Sequence, residues 1–138
     1  MDLQAGDKQT ITLCMIVKNE ASVITRAFDS VKHFVDYYCI CDTGSSDGTQ
    51  GIIRQYFKDN NFSGVVHERP WVDFAHNRTE AFDLAQGVGD YIMTLDADEV
   101  FAPYRNTKPL LTSYVEQIPK LEADLIYVKT SYNSFEYY

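Results

Sequence analysis

The sequence has no apolar run near the roughly eighteen residues needed to cross a bilayer. Its opening, MDLQAGDKQT, lacks the basic flank and apolar stretch of a secretory leader. Linkers, internal repeats and low-complexity tracts are also missing, so the chain reads as one unit. Basic residues are in short supply, 12 against 20 acidic, for a net charge of -8. A surface of that sign repels phosphate backbones and anionic lipid, which argues against nucleic-acid polymers and membranes as partners. It leaves room for a nucleoside diphosphate, provided a metal ion sits between the two negative partners.

Cysteine is scarce and odd in number: Cys14, Cys39 and Cys41, each inside an apolar run. A disulfide scaffold would use an even, dispersed set, and Cys39 and Cys41 lack the two-residue gap of a zinc or redox knuckle. They are expected to be small buried hydrophobes in a cytoplasmic or otherwise reducing compartment. The Gly-Lys-Ser/Thr end of a P-loop and the glycine pattern of a dinucleotide fold are absent too. The sequons at Asn61 and Asn77 stand alone, with nothing else pointing to secretion.

What is present suits one α/β domain. Apolar residues make up 45% of the 138-residue chain and aromatics 14%. A chain of this length buries roughly two-thirds of its unfolded surface. The run from Ile11 to Val17 is continuous rather than alternating, as expected for a strand covered on both faces. Asn19 is then placed to cap a helix whose apolar stripe is Val23, Ile24, Ala27, Phe28 and Val31. A second strand, Tyr37 to Cys41, runs into a polar loop from Asp42 to Thr49. There Ser46 or Asp47 would cap the next helix, Asp47 and Gln50 have capping-box spacing, and Ile52, Ile53, Tyr56 and Phe57 form the buried face. A short strand over Gly64 to Glu68 follows. The spacing of Phe74, Arg78, Ala81, Phe82 and Ala85 predicts a helix stopped by Gly87 or Gly89, and Tyr91 to Leu95 is a fourth strand. A helix around Leu110 to Gln117 and a strand around Leu125 to Lys129 come after. Such alternation predicts a mostly parallel, Rossmann-like sheet with helices on both faces. Ligands gather beyond the carboxyl ends of such strands, where the polar loops after strands one, two and four converge. The aromatic ending, Tyr132 to Tyr138, reads as an incomplete domain cut from a longer protein.

The fourth strand ends on Asp96-Ala97-Asp98-Glu99. If the backbone stays extended, Asp96 and Asp98 project to one side, where two carboxylates repel unless a cation lies between them. Mg2+ or Mn2+ accepts carboxylate oxygens together with substrate phosphates. Asp98 would hold the ion, and Asp96 would reach a ribose or the metal through water. Glu99 would orient a metal-bound water or cap the next turn. Breaking a sugar–phosphate bond puts negative charge on the leaving diphosphate, which a metal stabilises as a Lewis acid. Gly44 and Gly48 serve either a tight turn or a helix start able to receive an anion. Asp42, at a strand end, is expected to accept a hydrogen bond from a base or ribose. Arg78 would either contact phosphate or lie over Trp71 or Phe74. His76 has no context that selects a role.

Four segments together resemble family 2 glycosyltransferases of the GT-A fold. They are Leu13 to Glu20, Cys41 to Thr49, Trp71 to Arg78, and Leu95 to Glu99, in the family's order and spanning Ile11 to about Val100. The resemblance implies a UDP-sugar or other NDP-sugar donor, a Mn2+ or Mg2+ ion, and inversion at the anomeric carbon. It implies that Val17, Asn19 and Glu20, with Asp42 and Thr43, contact the base. Arg78 would approach the diphosphate, and Asp96 and Asp98 would be the metal pair. Thr43 stands where many members carry a second aspartate. An inverting transfer also needs a general base, which the family supplies from an acceptor-binding half after this region, so no base is assigned. The acceptor is open: glycan, lipid-linked sugar, peptide or small molecule.

Alternative readings are a nucleotide-sugar-binding module without independent catalysis and a nucleotidyltransferase. A phosphatase of the haloacid-dehalogenase type would need its Asp-x-Asp after the first strand, which here ends in Lys18-Asn19-Glu20.

Overall fold

The computed structural model describes residues 10–101, 130–132 and 135–137. Four parallel strands, β1 (Ile11–Val17), β2 (Tyr37–Asp42), β3 (Ser63–Glu68) and β4 (Tyr91–Thr94), form a sheet in the order β3-β2-β1-β4. Helices α1 (Ile24–Val31), α2 (Thr49–Asn60) and α3 (Phe74–Ala85) connect them in turn. The chain steps outward from β1 to β3, then returns over the sheet to lay β4 on the other side of β1. Parallel crossovers are right-handed, so this reversal puts α1 and α2 on one face and α3 on the other. The expected doubly covered, mostly parallel sheet is what the structure shows.

β1 is central, and Leu13, Cys14 and Met15 are fully buried. Its alternate residues feed two different cores. Leu13, Met15 and Val17 join Ile24, Phe28 and Val31 of α1 and Ile53 and Phe57 of α2. This side is rich in rings: Phe28 meets Tyr38 edge-on at 5.5 Å, and Tyr38 stacks on Phe62 at 5.0 Å. Gly64 is held without a side chain because a Cβ there would lie 2.5 Å from the Phe57 ring. Cys14, Cys39 and Cys41 face the other way, under Ala81 and Ala85 of α3. All three cysteines are free and buried, as expected for small hydrophobes. Burial, reinforced by Cys41, pushes the Cys14 thiol up to about 11. The thiol hydrogen bond between Cys39 and Cys41 draws Cys39 down from its usual range and, with burial, pushes Cys41 up.

Two capping expectations are corrected. Asn19 does not cap α1, which begins at Ile24 behind Val23 with no side-chain cap. The turn before it closes through the Glu20 carbonyl, which accepts from Val23 and Ile24 N–H. Nor do Asp47 and Gln50 form a capping box. Gly48, at φ 90°, precedes α2, and the Gln50 amide points to Asp42 instead. α3 starts at Phe74 with Asp73 accepting from His76 N at 2.7 Å, and Gly87 turns the chain away after it at φ 79°. Buried Asn77 accepts from Val72 N and donates to the Pro70 carbonyl, so it pins the approach to α3. Two short antiparallel strands, β5 (Thr130–Tyr132) and β6 (Phe135–Tyr137), pair near the end of the chain. The expected helix at 110–117 and strand at 125–129 lie outside the described residues.

Candidate active site

Because all four strands run the same way, their carboxyl ends share one edge. Val17, Asp42 and Glu68 stand level across β1, β2 and β3. β4 leaves the sheet at Thr94, opposite Cys14, so the residues after it climb beside the last turn of β1. The reversal of strand order falls between β1 and β4, where a crevice opens in sheets of this topology. Glu20 follows one of these strands and Asp96 to Glu99 follow the other.

The loops after β1 and β2 are built as one unit. Thr43 bonds to the Val17 carbonyl through both its N–H, at 2.9 Å, and its hydroxyl, at 3.2 Å. Asn19 N–H donates to Ser45 Oγ, and Asn19 Oδ1 accepts from Ser46 N–H, both at 2.8 Å. Glu20 N–H donates to Thr49 Oγ1 at 3.0 Å and Ala21 N–H to Asp47 Oδ2 at 3.2 Å. Asn19 pays for this clamp with a left-handed backbone, φ 53°, which asparagine tolerates better than most residues. The Thr49 hydroxyl, aided by N–H groups of Ala21 and Thr49, holds the Asp47 carboxyl below its usual range.

Asp42 is the hub of the second loop and is 1% exposed. Its Oδ1 accepts from Gly44 N–H, Ser45 N–H and Gln50 Nε2 at 2.8 to 2.9 Å, and its Oδ2 from Ser45 Oγ at 2.5 Å. Asp42, expected to meet a base or ribose, shapes the loop through these four bonds. Ser45, Ser46, Asp47 and Thr49 were not singled out from the sequence as partners of the loop after β1. Their signal was only a polar composition.

The turn after β4 is organised differently. Glu99 Oε1 accepts from Asp96 N–H, and Glu99 N–H donates to the Asp96 carbonyl, both at 2.9 Å. Of the two roles open to Glu99, the structure shows the cap. Ala97 is buried, which turns Asp96 and Asp98 outward to the surface. Neither carboxylate forms an ion pair among the described residues. Glu20 feels both: burial first, then the negative charges of Asp98, Asp47 and Asp96, hold its carboxyl above the usual range. The structure therefore adds Glu20, read from sequence as a base contact, to the electrostatic neighbourhood of the acidic pair. No three His, Cys, Asp or Glu side chains among the described residues are grouped to hold a metal by themselves. Two outward carboxylates do suit Mg2+ or Mn2+, which take one or two such ligands and complete their shell with phosphate oxygens and water.

Arg78 lies on the opposite face. Its guanidinium sits 5.1 Å from the centre of the Phe74 ring, one turn back toward the start of α3 and so toward the sheet's carboxyl edge. No hydrogen bond or ion pair among the described residues joins it to the acidic turn. Phe74 is more than half exposed, as are Trp71 and Val72 just before α3. A shallow cavity of about 670 Å³ runs along the outer side of α3 between Arg69 and Leu84, away from the acidic turn. Among the described residues no helix is long and apolar enough to cross a membrane.

A TPR repeat-containing protein of Synechococcus elongatus is 38% identical over 89 residues, covering 64% of this chain and 20% of that protein. An uncharacterized glycosyltransferase of Rickettsia felis is 35% identical over 91 residues, 66% of this chain and 29% of its own length. A mannosyltransferase from Pyrobaculum calidifontis, solved in complex with GDP-Man and Mn2+, has the same fold with a TM-score of 0.66 at 18% identity. That match covers 85% of this chain and 33% of the other. The chain spans between a fifth and a third of the length of these proteins. Residues 12–136 match the family model described as Glycosyl transferase family 2, and with its sheet and helices in the GT-A arrangement the chain belongs to that family.

Proposed function

We propose that this chain supplies the donor half of a metal-dependent glycosyltransferase that takes its sugar from a nucleoside diphosphate. The observation that carries this reading is the meeting of two kinds of structure at the strand reversal: a rigid two-loop floor and an outward acidic turn. The fold neighbour's GDP-Man and Mn2+ lend support by analogy.

In this reading Val17, Asn19, Glu20 and Thr43 line the floor that receives the nucleoside, through backbone atoms as much as side chains. Asp42 acts by fixing the loop's shape. Asp96 and Asp98 would hold Mn2+ or Mg2+, which when bound supplies a Lewis acid for the charge on the departing diphosphate. Glu99 keeps the turn from unwinding while two like charges crowd it. Arg78 swings from Phe74 to the diphosphate, exchanging a ring contact for a charge-assisted one. UDP is the preferred nucleotide by family resemblance, and inversion is the expected stereochemistry. The acceptor site and the base that takes the acceptor's proton are assigned outside residues 10–101.

The test is a binding panel of UDP-, GDP- and other NDP-sugars by calorimetry, with and without Mn2+. Affinity for at least one NDP-sugar that rises on adding Mn2+ is expected. Equal, weak binding of all with and without metal would remove the proposal. Because the chain is a fraction of its relatives' length, a binding module that does not transfer alone is the second reading. Sugar transfer by this chain comparable to that of a full-length relative would reject it.

A further inference from the structure

α1 does more than cover the sheet. Arg26 and Ser30 on the helix, and Phe34 just past its end, recur every four residues and all touch the segment that follows β4. Arg26 Nη2 donates to the Asp98 carbonyl at 3.2 Å, Phe101 N–H donates to Ser30 Oγ at 2.9 Å, and the Phe34 and Phe101 rings meet edge-on at 5.2 Å. Ala97 is buried in the core that contains Ala27 and Phe28 of the same helix. The acidic turn is thus held from outside by one helix, and Arg26 is the contact at the level of the carboxylates.

We propose that Arg26 is a positioning residue for Asp98: its guanidinium, anchored on the Asp98 main chain, sets the direction of that carboxylate and offsets the crowding of negative charge around it. The choice of atom matters. A guanidinium paired with the carboxylate itself would occupy the oxygens that a dication needs. Held on the carbonyl, it leaves those oxygens open while placing a fixed positive charge beside them. Arg26 is exposed, so it is not retained for filling the core. This inference rests on the donor-site reading above and adds to it a residue outside the four family-like segments.

The test compares the full chain with Arg26→Ala and Arg26→Lys by three measurements. These are Mn2+ titration of NDP binding, NDP affinity without metal, and amide hydrogen exchange over residues 96–101. Arg26→Ala should raise the Mn2+ needed for half-saturation about fivefold, the scale of one ordinary net hydrogen bond, since the Arg26 contact is exposed. Metal-free NDP affinity and the urea midpoint should stay put, and amides of the 96–101 segment should exchange faster. Arg26→Lys should recover much of the Mn2+ affinity. Mn2+-dependent binding that is indifferent to Arg26→Ala, or unchanged exchange, overturns this proposal alone. Equal losses in metal-free binding and stability do the same, because they mark a general structural role. NDP binding by the unmodified chain that ignores Mn2+ removes the donor-site reading and this proposal with it.

Discussion

The loops after β1 and β2 and the turn after β4 meet at one sheet edge, yet different forces hold them. In the first pair, Asn19, Glu20 and Ala21 are stitched to Ser45, Ser46, Asp47 and Thr49, and Asp42 gathers four donors beneath them. Polar groups there find partners within the chain. In the second, the backbone is tied by Glu99 and Arg26 while the carboxylates of Asp96 and Asp98 face outward. One region completes itself on folding; the other leaves two carboxylates open at the surface. Preorganised surfaces bind at low entropic cost, and crowded like charges gain most from a cation. The division suits a ligand with a neutral end and a polyanionic end.

Asp42→Ala should break the first region most severely. It removes one buried acceptor from four donors and should cost about 3 kcal/mol in urea unfolding, given the penalty for orphaned buried groups. Asp98→Ala should do the reverse, leaving the urea midpoint alone while metal-supported NDP affinity falls roughly thirtyfold, about 2 kcal/mol, in calorimetry. A stability loss for Asp98→Ala like that of Asp42→Ala would erase the distinction between the regions. A smaller loss of stability than at Asp42 is expected at Asn19. Asn19→Ala loses both the acceptor for Ser46 N–H and a residue suited to positive φ, about 2 kcal/mol, whereas Asn19→Gly keeps the backbone freedom and should lose about half of that. Arg78→Ala should be mildest, about 1 kcal/mol of NDP affinity, with nucleoside binding and stability unchanged. Equal losses for NDP and nucleoside would take Arg78 out of the phosphate role.

The strands and helices were largely legible because burial leaves a pattern in consecutive residues. The apolar run of β1 ends at Val17 as expected, and the α1 stripe of Ile24, Ala27, Phe28 and Val31 is the buried one. The acidic turn was legible too, since it directly ends an apolar strand. The partners of the polar residues were not. Asn19 and Gln50 obeyed local capping rules in the sequence, but the fold brings Ser46 to one and Asp42 to the other, and those cross-loop bonds prevail. Glu20 could not be tied to Asp96 and Asp98 without knowing that β4 lies beside β1. Arg26 sits on the polar side of an amphipathic helix, where the sequence offers no hint of what will pack nearby.

The thin layer beneath α3 sets a height. Alanines and thiols let that helix ride closer to the sheet than leucine or phenylalanine would, and such interiors have little slack. Ala81 therefore acts as a shim of minimum thickness under a beam that carries Arg78 about one turn nearer its start. A bulkier residue at that position would tilt the beam and shift the Arg78 guanidinium, which under the proposed donor-site reading weakens diphosphate binding without altering any group that touches the ligand.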